Sequence, residues 1–356
     1  MVNVGGRTQP LLQPVAWLAM GVMLASCRFD LPTVLGADAP GDEPEVDGPP
    51  RPPQYISCIG LAMTCGAGAT GSCCDPADTV LGGAFLRGYD EATDANNDMS
   101  APATVSTFVL DKYEVTVGRF RAFVYAGLGT RAQGSPPVAG AGAHPRVPGS
   151  GWDSAWEVHL AADTAALKAA VKCNVTYQTW TDAPGGNENK PMDCVSWYEA
   201  MAFCIWDGGY LPTEAEWNYA AGGGSEHRAY PWSNPVSDLT TDCTYANYKI
   251  DTPPGMYCVN GTTGGLNRVG SESPKGDGRW GHSGLAGNVW EWVLDWHASA
   301  YPMPCNDCAN LMPGTNRVIR GGGFYYNASP LRAASRGASA PTVRLSEFGF
   351  RCARTP

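Results

Sequence analysis

The sequence predicts one large domain of short helices and short strands, poor in regular structure and held by disulfides. Three observations carry this expectation. Its 356 residues include 44 Gly and 29 Pro, with only 16% charged residues, the composition of a loop-rich globular chain. Its thirteen cysteines leave twelve once Cys27 is set aside, an even number that reads as six disulfides in an oxidising compartment. Its apolar patterns are brief, and none repeats along the chain.

The N-terminus fixes the compartment. Arg7 precedes an apolar stretch from Val15 to Ala25 that is too short to span a bilayer, and the stretch ends in Leu24-Ala25-Ser26-Cys27. Small residues before a lone cysteine resemble a bacterial lipobox. Residues 1–27 are therefore expected to be a lipoprotein signal peptide cleaved before Cys27, whose thiol takes the lipid. The mature chain is then exported and anchored to a bacterial membrane, on a periplasmic or cell-surface face. Residues 28–54 are rich in Pro, Asp and Glu (ADAPGDEPEVDGPPRPP). They lack the apolar surface to fold and are expected to form a tether. Residues 55–79 hold Cys58, Cys65, Cys73 and Cys74 and read as a small module stapled by disulfides, with connectivity left open. Residues 80–356 form the main domain.

Within that domain, FVLDKYEVT (108–116) alternates like a strand, and Thr116 caps a helix whose Phe120, Phe123 and Val124 share a face. Asp163 starts a short Ala-rich helix. PMDCVSWYEAMAFCIWDGG and LPTEAEWNYAA carry two capping boxes, Ser196 with Glu199 and Thr213 with Glu216. Trp197, Met201 and Cys204 fall on one stripe of the first helix, Gly208-Gly209 stops it, and Trp217 and Ala220 hold the second. RVIRGGGFYY and GFRCAR read as strands.

Charge excludes nucleic acid as a partner, since a net charge of −10 comes with no run of Lys or Arg. The five histidines, His144, His159, His227, His282 and His297, are scattered and read as surface or hydrogen-bonded residues. Cys305-x-x-Cys308 lies in a Pro/Asn loop and reads first as a structural disulfide, with a redox pair as the alternative. Asp94, Asn96 and Asp98 read as a solvated turn. Glu214 and Glu216 read as capping and helix-dipole residues.

LPTEAEWNYAA, GNVWEW (287–292), RVIRGGG and GFRCAR, in this order and preceded by DKYEVTVGRFRAFV, resemble the formylglycine-generating enzyme, or sulfatase-modifying factor, family over residues 80–354. The resemblance implies an α+β fold, a variant of the C-type-lectin-like fold. It implies a structural calcium ion held by Glu291 and by the carbonyls of Gly287 and Val289, and part of a second site at Asn247 and the Tyr248 carbonyl. Gly284 falls where the family has a further Asn or Asp ligand. Read from the residues alone, Glu291 instead accepts from backbone N–H groups or an arginine. The resemblance also pairs Cys204 with Cys352. Loop size adds Cys243 with Cys258 and Cys173 with Cys194.

The family's enzymes hold Cu(I) between two cysteines five residues apart, because soft thiolates suit that ion. Here those positions carry Tyr326 and Leu331, and no cysteine lies between Cys308 and Cys352. Copper is therefore not expected. The expected role is a ligand- or protein-binding, or structural, lipoprotein whose partner is a protein or glycan. The alternative is an oxidoreductase-type enzyme with altered chemistry, its cleft lined by Tyr325, Tyr326, Asn327, Ser329, Arg332 and Arg336. Trp152, Trp156, Trp180 and Trp232 in Gly-rich loops read as core packing or as ligand contacts.

Overall fold

The computed structural model describes residues 55–92 and 98–356. The expected signal peptide with Cys27 and the expected tether, along with Asp94 and Asn96 of the acidic turn, lie outside the described residues. Among the described residues no helix is long and apolar enough to cross a membrane.

Four short helices form where caps and apolar faces coincide. In α1 (Val117–Tyr125), the Thr116 hydroxyl accepts from the Arg119 N–H. Asp163 caps α2 (Thr164–Ala170), and full capping boxes start α3 (Trp197–Trp206) and α4 (Glu214–Ala221). Both α3 and α4 are buried on nearly every side, so the single stripe expected for α3 is too narrow. Strands are shorter still: β1 (Gly83–Leu86), β2 (Pro102–Val105), β3 (Val109–Leu110), β4 (Lys249–Ile250) and β5 (Met256–Tyr257). After these come β6 (Trp290–Trp296), β7 (Arg317–Arg320), β8 (Gly337–Ser339), β9 (Phe348–Gly349) and β10 (Ala353–Arg354).

The main sheet has the order β8-β7-β6-β9, antiparallel except for the parallel β6–β9 pair. Its register sets Glu291 opposite Arg320 and Trp292 opposite Ile319. Phe120, Phe123, Trp197, Phe203, Trp292 and Phe350 form one core between α1, α3 and the sheet. Phe85, Phe108, Trp217, Val293 and Val318 form another beneath α4. Regular structure is sparse and disulfides are many, as the composition requires.

FVLDKYEVT is not one strand. Only Val109–Leu110 pairs as β3, with β10. Beyond it the backbone bonds are shared among neighbours: Asp111 N–H donates to Cys352 O, Val115 N–H to Phe350 O, and Met192 N–H to Val115 O. Trp152, Trp180 and Trp232 are buried, and Trp156 packs against the core; these indoles are packing residues. His282 departs from expectation. It is fully buried with no partner on either ring nitrogen, and burial depresses its pKa to about 3, so it stays neutral.

The disulfides join Cys58–Cys74, Cys65–Cys73, Cys173–Cys194, Cys204–Cys352, Cys243–Cys258 and Cys305–Cys308. Both disulfides of the residue 55–79 segment close within it, and it docks on the rest of the chain through buried polar contacts. The Ser57 N–H donates to Asp207 Oδ1, and its hydroxyl accepts from Arg119 Nε. Arg119 also pairs with Asp111 and Asp207, and Arg354 with the same two carboxylates. Two buried cations facing two buried anions keep the cluster near neutrality.

Candidate functional site

Behind the site is the charge that GNVWEW buries. Glu291 is fully buried, and Arg351 meets it with Nε at 2.8 and 3.0 Å and Nη2 at 2.7 Å. Trp217 Nε1 donates to Glu291 Oε2 at 2.8 Å. The remaining Arg351 donors reach the carbonyls of Asp111, Lys112 and Ser283. An arginine therefore satisfies the glutamate. Glu114 lies against the same guanidinium, 4.0 Å away, and burial raises its pKa to about 7.

The donor set does not fit a calcium cage here. Calcium takes six to eight oxygens, yet the Glu291 oxygens are directed to Arg351 and Trp217. At Gly284 a side chain has no room, because its Cβ would lie 2.5 Å from Glu114 Oε2. At Asn247 the Nδ2 donates to Gly265 O and Asn288 Oδ1, and Oδ1 is left buried without a partner. The Tyr248 carbonyl accepts from Cys258 N–H. Asn288 links Asn247 to Glu114, whose Oε2 is also unpartnered, and two spare side-chain oxygens are still fewer than a hard dication takes. Among the described residues no three His, Cys, Asp or Glu side chains gather to hold a metal.

In front of this core lies a cleft of about 930 Å3. Five stretches of chain build it. From β6 comes Trp290. The turn after β7 and the following loop bring Tyr326, Ser329, Ser335 and Arg336. The loop after β6 brings Ser299 and Tyr301, and Arg87 and Ser100 close the far wall. Gly321 and Gly322 have φ of 93° and 72°, which lets β7 turn sharply enough to present Tyr326. A Cβ at Gly322 would stand 2.9 Å from Leu331 Cδ1.

The Tyr326 ring meets the Trp290 indole edge-on, at 5.6 Å between centroids and 85° between planes. Its hydroxyl donates to Glu347 Oε1 at 3.0 Å. Burial and the neighbouring Glu347 charge push this phenol up to about 12, so it stays protonated at neutral pH. Arg336 and Arg320 both grip Glu214, at 2.6 and 2.7 Å, in the first turn of α4. Burial opposes ionisation of Glu214, but these two guanidinium groups outweigh it and hold its pKa below the usual value. Glu214 is thus an ion-pair hub as well as a helix-dipole residue. Tyr301 lies between Arg336 and Arg87, with cation-to-ring distances of 4.2 and 4.7 Å.

Of the six residues expected to line the cleft, Tyr326, Ser329 and Arg336 do so. Tyr325 sits instead over Tyr177 and Tyr257, beside a smaller pocket of about 200 Å3. Asn327 is exposed outside the cleft lining. Arg332 turns toward Asp90, 3.4 Å away, and toward the Tyr230 ring. Leu331 is buried behind the wall. Sequence reading missed Arg87, Trp290 and Tyr301. Trp290 stood inside a quoted motif, but nothing local marks the other two. All twelve described cysteines are in disulfides, so the oxidised protein offers a soft ion no thiolate. What the cleft offers chemically is aromatic faces, hydroxyls and two guanidinium groups, Arg336 paired with Glu214 and Arg87 without a carboxylate in contact, a surface for recognition.

Fold and site together define a disulfide-rich α+β domain of the C-type-lectin-like kind. The chain belongs to the family of the sulfatase-modifying factor enzyme 1-like domain, which matches residues 73–356. It is 30% identical over 304 residues to a formylglycine-generating enzyme of Thermomonospora curvata, covering 78% of this chain and 92% of that protein. It is also 30% identical over 294 residues to the inactive Cα-formylglycine-generating enzyme 2 of Mus musculus, covering 78% and 86%. PvdO from Pseudomonas aeruginosa shares the fold, with a TM-score of 0.53 at 20% identity over 78% of this chain and 93% of that one.

Proposed function

We propose that this chain is an exported, lipid-anchored binding module that keeps the cleft of its family and has given up the copper–thiolate chemistry there. One observation carries the reading: the positions matched to the family's copper-binding cysteines hold Tyr326, a phenol in the cleft wall, and Leu331, a buried hydrocarbon. Neither is a soft donor. The similarity to a relative described as inactive supports the same view. Long loops on a disulfide-braced base suit recognition of a protein or glycan surface. The lipobox-like Leu24-Ala25-Ser26-Cys27 supports membrane attachment.

The alternative, an oxidoreductase with altered chemistry in the same cleft, draws on the equal identity to a relative described as the generating enzyme. One assay separates the two. The purified protein is given a cysteine peptide and oxygen, and oxygen uptake and peptide aldehyde are followed. The binding reading expects neither; either one establishes the enzyme. Attachment is tested separately with Cys27→Ser, which is expected to abolish palmitate labelling and release the protein from the membrane fraction. Unchanged labelling removes the anchor from the account.

A further inference from the structure

Arg87 has no adequate counter-charge. It follows β1 and is 3% exposed, yet among the described residues no carboxylate lies within ion-pair distance of it. Its Nε has no partner at all. Nη2 donates to Pro302 O at 2.7 Å and to Met303 Sδ at 3.1 Å, and Nη1 reaches Cys308 Sγ at 3.5 Å. Thioether and disulfide sulfurs are weak acceptors. A buried cation held by one carbonyl, two sulfurs and the Tyr301 ring, with no anion in contact, is costly unless an anion forms beside it. Burial accordingly lowers the proton affinity of this guanidinium. Arg317 is similarly unpaired, but two indoles sandwich it at 3.7 and 3.8 Å, and no sulfur is bonded to it.

The anion that would complete Arg87 is the Cys308 thiolate. We propose that Cys305–Cys308 is a redox-active pair that exchanges with a dithiol of a partner protein, with Arg87 holding the Cys308 thiolate. The two sulfurs differ in surroundings. Cys305 is 3% exposed but its residue borders a groove of about 440 Å3 formed with Phe85 and Leu86 of β1, Ala103 of β2, and Met303, so an attacking thiolate has to reach it through that groove; Cys308 is half-buried. Cys308 has its sulfur against Arg87. The loop is fixed in place: Thr104 N–H donates to Cys305 O, and Asp307 N–H to Thr104 O. The Asp307 carboxylate, the nearest negative charge in sequence, accepts from the Ser106 N–H and hydroxyl and lies 3.7 Å from Arg146.

The exchange balances as follows. A partner thiolate enters the groove and attacks Cys305 Sγ, forming a mixed disulfide. The Cys305–Cys308 bond breaks, and Cys308 leaves with its electron pair as a thiolate paired with Arg87. The partner's second thiol loses its proton to water and attacks the partner sulfur of the mixed disulfide. Cys305 departs and takes up a proton. The partner dithiol is oxidised to a disulfide by two electrons, and the CxxC pair is reduced. A lower pKa for the departing thiol speeds its release.

The test equilibrates the full-length protein in graded glutathione buffers, blocks free thiols with an alkylating agent and locates them by peptide mass. Cys305–Cys308 is expected to open while the fully buried Cys204–Cys352 stays closed. In Arg87→Gln the pair should become about tenfold harder to reduce, about 30 mV for a two-electron couple, and Arg87→Lys should restore part of the difference. The rate of Cys308 alkylation in the reduced wild type is then followed against pH. It should report a thiol pKa below the ordinary value of about 8.5, a readout that does not depend on any variant folding. Opening no easier than at Cys204–Cys352, an unchanged equilibrium in a folded Arg87→Gln, or a Cys308 pKa at or above the ordinary value overturns the proposal.

Discussion

Replacing Arg351 with Met tests how GNVWEW is accommodated. Methionine keeps the apolar stem and removes the guanidinium. Glu291 then loses three donor contacts between 2.7 and 3.0 Å and keeps only the Trp217 indole, in a site with no solvent exposure. The carbonyls of Asp111, Lys112 and Ser283 lose their Arg351 contacts as well. Breaking a buried ion pair from one side costs about 3–5 kcal/mol. Stranded carbonyls add about 1 kcal/mol each, partly within that figure. A loss of about 5 kcal/mol is expected. The double variant Arg351→Met with Glu291→Leu removes both charges and should recover at least about 2 kcal/mol of it. Guanidinium denaturation with all disulfides intact measures both, with coincident fluorescence and circular dichroism transitions as the check on two-state behaviour. A single-variant loss under about 1 kcal/mol would refute this reasoning. So would a wild-type melting temperature that falls on calcium chelation, since Glu291 would then owe its burial to a metal.

Two further outcomes follow from the structure. Asp193 is fully buried with Oδ2 unpartnered, and desolvation raises its pKa to about 8 although Thr179 donates to Oδ1. Its folded pKa lies above the unfolded value near 3.8, so its contribution is complete below about pH 4 and is lost as pH rises toward 8. Asp193→Asn should therefore gain on the wild type by a few kcal/mol between pH 5 and 8; equal slopes in pH-dependent denaturation would contradict this. The Cys204–Cys352 bond links α3 to the chain's end across a sequence separation of 148. Removing it with paired alanines should cost about 5 kcal/mol by loop entropy, and a midpoint shift worth under about 1 kcal/mol would show that the unfolded chain is already constrained.

Local chemistry was legible in the sequence, whereas the partners of buried charges were not. The capping boxes at Ser196 and Thr213 are complete within four residues of sequence and appear as read. The family's motifs led to Tyr326 and Arg336 because those positions follow a glycine turn at fixed spacing. Glu291 is a different case: its arginine lies 60 residues downstream, so the residues alone could not choose between an arginine, backbone donors and a metal. Arg87 and Cys308 are 221 residues apart, and neither is unusual in its own segment. FVLDKYEVT alternates like a strand in sequence, yet all of it but Val109 and Lys112 is buried. Its backbone bonds nonetheless go to separate loops, which no periodicity records.

Removal of the soft donors is the account's central claim, and direct titration with Cu(I) against a competing chelator measures it. The oxidised full-length protein is expected to leave the copper with the chelator, and Tyr326→Ala should behave identically. One equivalent of Cu(I) taken up by the wild type and lost in Tyr326→Ala would contradict the claim and place metal chemistry in the cleft.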